Sequence, residues 1–291
     1  MKYGRMEELR RHYPVAVMSR VFEVSESGFY AWRDRPLSLR AQENARLEIE
    51  ILAAHQRTRE TCGPERLQSD LADHGIRAGV DRIKRIRKKL GLRCKQKQKF
   101  KVTTDSNHNL PVAPNLLDRN FTVTSPNRAW VSDITYIQTD EGWLYLAGLK
   151  DLFNGELVGY AMSERMTKNL VMQALFRGIS TKRPTKGLIL HSDRGSQYCA
   201  HDYQKLLEQF GMTASMSRKG DCWDNAPMES FWGTLKNELV HHRHYRTRNQ
   251  AIQDVAEYIE IFYNRQRKQA RLGYLSPVAF TQRYYEKLLA A

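Results

Sequence analysis

The 291-residue chain carries 47 lysines and arginines against 32 acidic residues, a formal net charge of +15. Its hydrophobic content of 41% suits packed cores, and no apolar run approaches the roughly 20 residues of a membrane span. The first residues, MKYGRMEELRRHYP, lack the apolar core of a signal peptide, so a cytoplasmic location is expected. Four cysteines, Cys62, Cys94, Cys199 and Cys222, show no CxxC spacing, which argues against a disulfide framework or a zinc knuckle.

Residues 14–33, PVAVMSRVFEVSESGFYAWR, have helix–turn–helix character. Pro14 suits the first turn of a helix, and Val15, Met18 and Phe22 fall on one apolar stripe. Val24 and Ser25 mark the turn, and Ser25 or Ser27 caps a second helix through Trp32. A generic helical hairpin has the same pattern. Three further helices follow over 42–92. ENARLEIEILAAHQRT is broken by Gly63-Pro64, PERLQSDLADHG is closed by Gly75, and VDRIKRIRKKLGL ends at Gly91. On the last of these, Ile83, Ile86 and Leu90 make the apolar face.

The charge concentrates there: between Arg82 and Lys101 lie eleven basic residues and no acidic one. Cations placed on phosphates release condensed counterions, so a nucleic acid is the favoured partner and a solubilising basic segment the alternative. Arg82, Lys84, Arg85, Arg87, Lys88 and Lys89 are the candidate DNA contacts. Residues 95–128 are polar, with Pro111, Pro114 and Pro126 and no period, and predict an extended linker.

After the linker the period changes from 3.6 to 2. AWVSDITYIQT, WLYLAGLKDL and ELVGYAMSE predict three meandering strands, with Asn154-Gly155 as a hairpin turn. TKNLVMQALFRGIS predicts a helix, GLILHSD a buried strand, YQKLLEQFGM a helix, TASMS a strand, and 226–239 a helix. The order β-β-β-α-β-α-β-α implies an α/β fold with a mixed sheet and helices on its faces, preceded by all-α modules. The expected divisions are 1–40 and 41–94 for the two helical modules and 95–126 for the linker. A core at 127–240 and a helical extension at 241–291 complete the chain. In that extension the run His241, His242, Arg243, His244 is a solvated or phosphate-facing surface rather than a metal site.

Asp133 falls inside the first strand and Asp193 at the end of the fourth. If these strands are neighbours, the carboxylates approach each other and need a cation between them. Magnesium, which takes hard oxygen ligands, supplies it. Glu229 is the third candidate, near the start of a helix for which Asp224 or Asn225 is the N-cap and Pro227 a first-turn residue. Lys236 lies two turns along the same face and suits a phosphate. Asp151, Asp221, Asp224 and Glu238 compete with these acids, and spacing alone does not exclude Asp151. Two metal ions on three carboxylates perform phosphodiester chemistry without a protein nucleophile.

WVSDITYI, HSDRGSQY and DNAPMESFWGTLKNEL resemble the catalytic core of insertion-sequence transposases of the IS-three family, in the DDE transposase and retroviral-integrase superfamily. The resemblance implies a ribonuclease-H-like fold and a catalytic, metal-binding triad of Asp133, Asp193 and Glu229, with thirty-five residues between the last two. It also implies Lys236 as the downstream lysine and two Mg2+ or Mn2+ ions as cofactors. The partners it implies are insertion-sequence ends and target DNA, in an oligomeric synapsis beside the bacterial nucleoid. Tyr263, Asn264, Arg267, Leu272, Gly273, Tyr274, Ser276 and Pro277 fit the family's tail, whereas Gln269 stands where many relatives have histidine. In this family the core is often a second-frame product joined to an upstream frame, so an upstream protein or fusion partner is part of the expectation. The expected activity is cleavage at element ends and transfer of the 3′-hydroxyl to target DNA. A ribonuclease-H-like nuclease without strand transfer and an inactive DNA-binding regulator are the alternatives.

Overall fold

Helices α1 (Lys2–Leu9), α2 (Val15–Phe22) and α3 (Glu26–Arg33) open the computed structural model, which describes residues 1–95, 111–218 and 221–290. Met6, Met18 and Phe29 meet at their centre, with Val15 and Phe22 packed against them, so the predicted stripe is the buried one. Two details differ from the sequence expectation. Pro14 is the N-cap of α2 rather than a first-turn residue. Lys2–Leu9, too short and too charged to show a clear period, is helical because Met6 has a core to enter. Of the two candidate caps for α3, Ser25 takes the role, accepting from the Gly28 N–H at 3.0 Å.

A second bundle follows: α4 (Leu39–Arg57), α5 (Pro64–Asp73) and α6 (Val80–Lys89). It closes around Leu47, Ile51, Leu67, Leu71, Ile83 and Ile86. Residues 96–110 of the predicted linker lie outside the described residues. The half from 111 onward has no regular structure, yet it is fastened to the sheet module. Leu117 is buried, the Leu116 N–H donates to Ser215 Oγ at 2.9 Å, and the Asn127 N–H donates to the Asp151 carboxylate at 2.8 Å.

The sheet module runs β1 (Ala129–Thr139), β2 (Gly142–Asp151), β3 (Leu157–Ser163), α7 (Lys168–Lys182), β4 (Ile189–Ser192), α8 (Ser196–Cys199), α9 (His201–Gln209), β5 (Thr213–Met216) and α10 (Ala226–Glu238). The sheet order is β3-β2-β1-β4-β5. The first three strands are antiparallel, and β4 and β5 run parallel to β1. This is the mixed sheet predicted from the change of period.

Alternate residues of β1 serve opposite faces. Ala129, Val131 and Ile137 meet Met228, Phe231, Trp232 and Leu235 of α10 on one side. Trp130 joins Leu170, Ala174, Tyr198 and Tyr203 of α7, α8 and α9 on the other. Asp133 shares the parity of Val131 and therefore faces α10. On the α7 side the layers touch through backbone: a Cβ at Gly159 would lie 2.4 Å from the Ala174 carbonyl oxygen.

The C-terminal helices belong to the same core. α11 (Arg248–Glu257) continues as a π-helix over Tyr258–Gln266, and α12 (Pro277–Leu289) follows. Ala251, Val255, Tyr258, Phe262 and Tyr263 are buried in one cluster with Val131, Leu146 and Phe231. Tyr263 Oη donates to the Gly155 carbonyl, and the Asn264 carboxamide bonds both the N–H and the C=O of Leu157. Ser276 caps α12, and Gln269 is buried with its backbone paired to Leu275. The tail motif thus works as packing. No described helix is long and apolar enough to cross a membrane.

Candidate active site

β1 and β4 pair in parallel with Val131 opposite His191. Two residues further along each chain stand Asp133 and Asp193, so both carboxylates leave neighbouring strands, whose spacing is about 4.8 Å. They do so at the carboxyl end of β4, where ligand sites of such sheets gather.

Asp133 is held at both oxygens. Oδ1 accepts from the Ile134 N–H at 2.8 Å, and Oδ2 accepts from Trp232 Nε1 at 3.0 Å. Burial nevertheless raises its pKa to about 8, with the charge of Asp193 as the next cause and Glu229 as the last. Asp193 Oδ1 accepts from the Gly195 N–H at 2.9 Å, which fixes the turn after β4. Glu229 lies in the first turn of α10, partly buried, and burial raises its pKa. The charge of Asp193 thus acts on Asp133 more strongly than that of Glu229. Among the described residues no three histidine, cysteine or acidic side chains stand close enough to hold one ion.

Three residues of α10 form the wall opposite the pair. Glu229, Trp232 and Lys236 recur at helical spacing, and the middle one is the donor to Asp133. Lys236 Nζ lies 4.8 Å from the centre of the Tyr136 ring. Burial lowers the Lys236 pKa, and the charge of Asp133 works against that by raising it.

The start of α10 is fastened from below. Buried Lys150 donates to the Pro227 carbonyl at 2.9 Å; burial, and then Arg271 and Arg267, bring its pKa down to about 7. Asn225 Nδ2 donates to the Ser132 carbonyl at 3.1 Å, tying the helix start to the residue before Asp133. Asn225, one of the two expected caps, holds the N-cap position of α10, but its side chain makes no cap bond. Asn225 is spent on β1. Asp224 is buried and accepts from Arg218 at 2.8 Å, from Arg119 and from Asn115. Arg218 drives its pKa well below the usual carboxylate range.

The competing acids thus have structural places. Asp221 caps the short turn at Cys222–Asn225, and Asp151 accepts the Asn127 and Phe153 N–H groups at the end of β2. Glu238 is taken by Arg267. The neighbours of Asp193 also find theirs. His191 is buried between Ser215 Oγ at 2.8 Å and Ser217 Oγ at 3.2 Å, and Arg194 Nε donates to the Ser217 carbonyl at 2.6 Å. Both stitch the end of β4 to that of β5.

The basic residues of α6 divide. Arg82 turns onto Asn44 and Glu43 of α4, and Arg87 onto Cys94. Lys84, Arg85, Lys88 and Lys89 are exposed, with Lys84 near Asp81 at 3.6 Å, Arg85 Nε on the Asp81 carbonyl and Lys89 on Glu48. Sequence reasoning overlooked Trp232 and Lys150, and read Asn225 only as a cap. Trp232 had a signal: it lies between Glu229 and Lys236 on the face already singled out.

Residues 41–100 match the family described as HTH-like domain, and 123–222 and 229–284 match two families described as integrase core domain. Over 269 residues the chain is 59% identical to the insertion element IS600 uncharacterized 31 kDa protein of Shigella sonnei, covering 92% of this chain and 99% of that one. Over 282 residues it is 39% identical to transposase InsF for insertion sequence IS3A of Escherichia coli K12, covering 96% and 98%. A solved simian T-cell lymphotropic virus intasome is similar at 16% identity and TM-score 0.47, over 78% of this chain and 72% of that one. With near full-length relatives and three family matches, the chain belongs to the IS3-family DDE transposases.

Proposed function

We propose that the chain cuts DNA at insertion-sequence ends and transfers the 3′-hydroxyl to target DNA, with Asp133, Asp193 and Glu229 as ligands of two divalent cations. The observation that carries this is the carboxylate pair on β1 and β4. Two like charges so placed, one with its pKa raised to about 8, favour a cation between them. Hard oxygen donors suit magnesium or manganese. When bound, a pair of such ions activates the attacking hydroxyl and stabilises the departing oxygen.

The chain's own residues do the rest. Trp232 Nε1 and the Ile134 N–H fix the orientation of Asp133. The Gly195 N–H does the same for Asp193. Glu229 closes the site from α10, and Lys236 offers a cation to a phosphate beside it. Lys84, Arg85, Lys88 and Lys89, with Arg82 and Arg87 behind them, hold end DNA on α6. No covalent enzyme intermediate is needed, so water and a DNA 3′-hydroxyl use the same site in turn. Pairing two ends calls for more than one copy of the chain, and an upstream-frame protein is a further partner. The test is labelled element-end DNA incubated with magnesium and either the parent or Asp193→Asn. Joined products from the parent and none from the variant support the proposal; cleavage without joining, or binding without chemistry, refutes it.

A further inference from the structure

Tyr136 and Trp143 share the parity of Trp130 and Tyr145, opposite to that of Asp133, and make a ledge of aromatic rings along the β1–β2 hairpin that Lys236 of α10 reaches. Lys236 Nζ sits over the Tyr136 ring at 4.8 Å, and Tyr136 meets Trp143 edge to face, with centroids 4.9 Å apart. Trp143, near the start of β2, leaves 46% of its surface exposed, although an indole is among the side chains most favourably buried. Tyr136 braces the ring on one side, and Arg248 holds the backbone beneath it, its Nε donating to the Trp143 carbonyl at 3.1 Å.

The charges around the ledge favour an anion. Arg246 is exposed on the segment after α10, as are His244 and Arg243, the latter paired with Asp254 at 3.4 Å, and the Tyr245 carbonyl accepts from the Asp140 N–H at the hairpin tip. The acids there are already engaged: Asp140 with His244 at 2.9 Å, and Glu141 by the Arg248 N–H at 2.7 Å. Cations, a braced ring and an exposed indole beside a phosphoryl-transfer site are the components of a single-strand platform, on which bases stack and phosphates are neutralised.

We propose that this ledge holds one DNA strand on its way to the carboxylate pair, a base stacking on Trp143 while Lys236 meets the phosphate nearest Asp133. The inference rests on the DNA-transferase proposal for the same site, and its test needs no chemistry. A mixed-sequence 15-nucleotide single strand carrying 2-aminopurine is titrated into the full chain with calcium in place of magnesium, following anisotropy and 2-aminopurine quenching. Trp143→Ala is expected to bind roughly tenfold more weakly and to lose the quenching. Trp143→Phe should stay within about threefold of the parent, because a phenyl face also stacks. Phe176→Ala, which removes a similarly exposed ring from α7 where it meets Phe210 rather than the hairpin, should change nothing.

Unchanged binding and quenching in Trp143→Ala overturns the proposal. So does a Phe variant as weak as the Ala variant, or an equal loss in Phe176→Ala. Absence of joined products from the parent with magnesium would refute the transferase proposal and leave this measurement standing.

Discussion

Trp232 reaches Asp133 because Gly148 makes room for it. Gly148 is the cross-strand partner of Asp133, and a Cβ there would lie 2.8 Å from the edge of the indole. Trp232→Phe keeps the bulk and removes the donor. It is expected to weaken Mn2+ binding roughly 10–100-fold, the usual cost of losing a partner that orients a ligand. Calorimetric titration of the DNA-free protein checks this. The raised pKa of Asp133 gives a second prediction at this scale. Between the ordinary carboxylate range and about 8, the folded chain binds more protons than the unfolded one, so stability falls as pH rises through that window. In chelator, Asp133→Asn should melt above the parent at pH 8 and level with it near pH 4, by about 2–4 °C for each kcal/mol regained. Adding Mn2+ at pH 8 should raise the parent and not the variant.

At the scale of elements, α10 connects chemistry to packing. Its first turn carries Glu229, and its last residue, Glu238, accepts from Arg267 at 2.7 Å and from Tyr258 Oη at 2.7 Å, the ion pair being largely out of solvent. Arg267→Ala leaves a largely buried carboxylate with only Arg66, at 4.0 Å, as a cation and is expected to cost about 3 kcal/mol, read from urea unfolding. The strands and helices around this helix were legible in the sequence because their residues obey a local period. Asp133 and Asp193 were legible as a pair only on the condition that their strands are neighbours, which is a property of sheet order. Trp232 was legible by spacing from Glu229 and was passed over. The bonds of Lys150 and Asn225 had no local signal, since their acceptors, Pro227 and Ser132, lie 77 and 93 residues away in sequence. Asn225 keeps the expected N-cap position without a cap bond because its side chain is spent on Ser132, and Asp224 is claimed by Arg218, Arg119 and Asn115.

In the whole molecule, the second helical bundle rests on the C-terminal helices. Arg59 pairs with Glu257 and lies over the Phe262 ring at 4.9 Å, and Lys268 reaches Asp73 and Ser69 of α5. The net charge of +15 should make DNA affinity fall steeply with salt. Substituting exposed Lys88 by alanine should weaken binding about equally for all sequences and reduce the salt slope by about 1, measured by anisotropy across a salt series. The shared core has a further consequence, in the order of synthesis. The layer that supports α10 includes Ala251, Val255, Tyr258, Phe262 and Tyr263. Domains emerge from the ribosome N-terminal end first, so the basic helical bundles are free to fold while this layer is still in the exit tunnel. A nascent chain would then bind DNA before it can cut it, and the transposase becomes dangerous to its template only once translation has passed the π-helix.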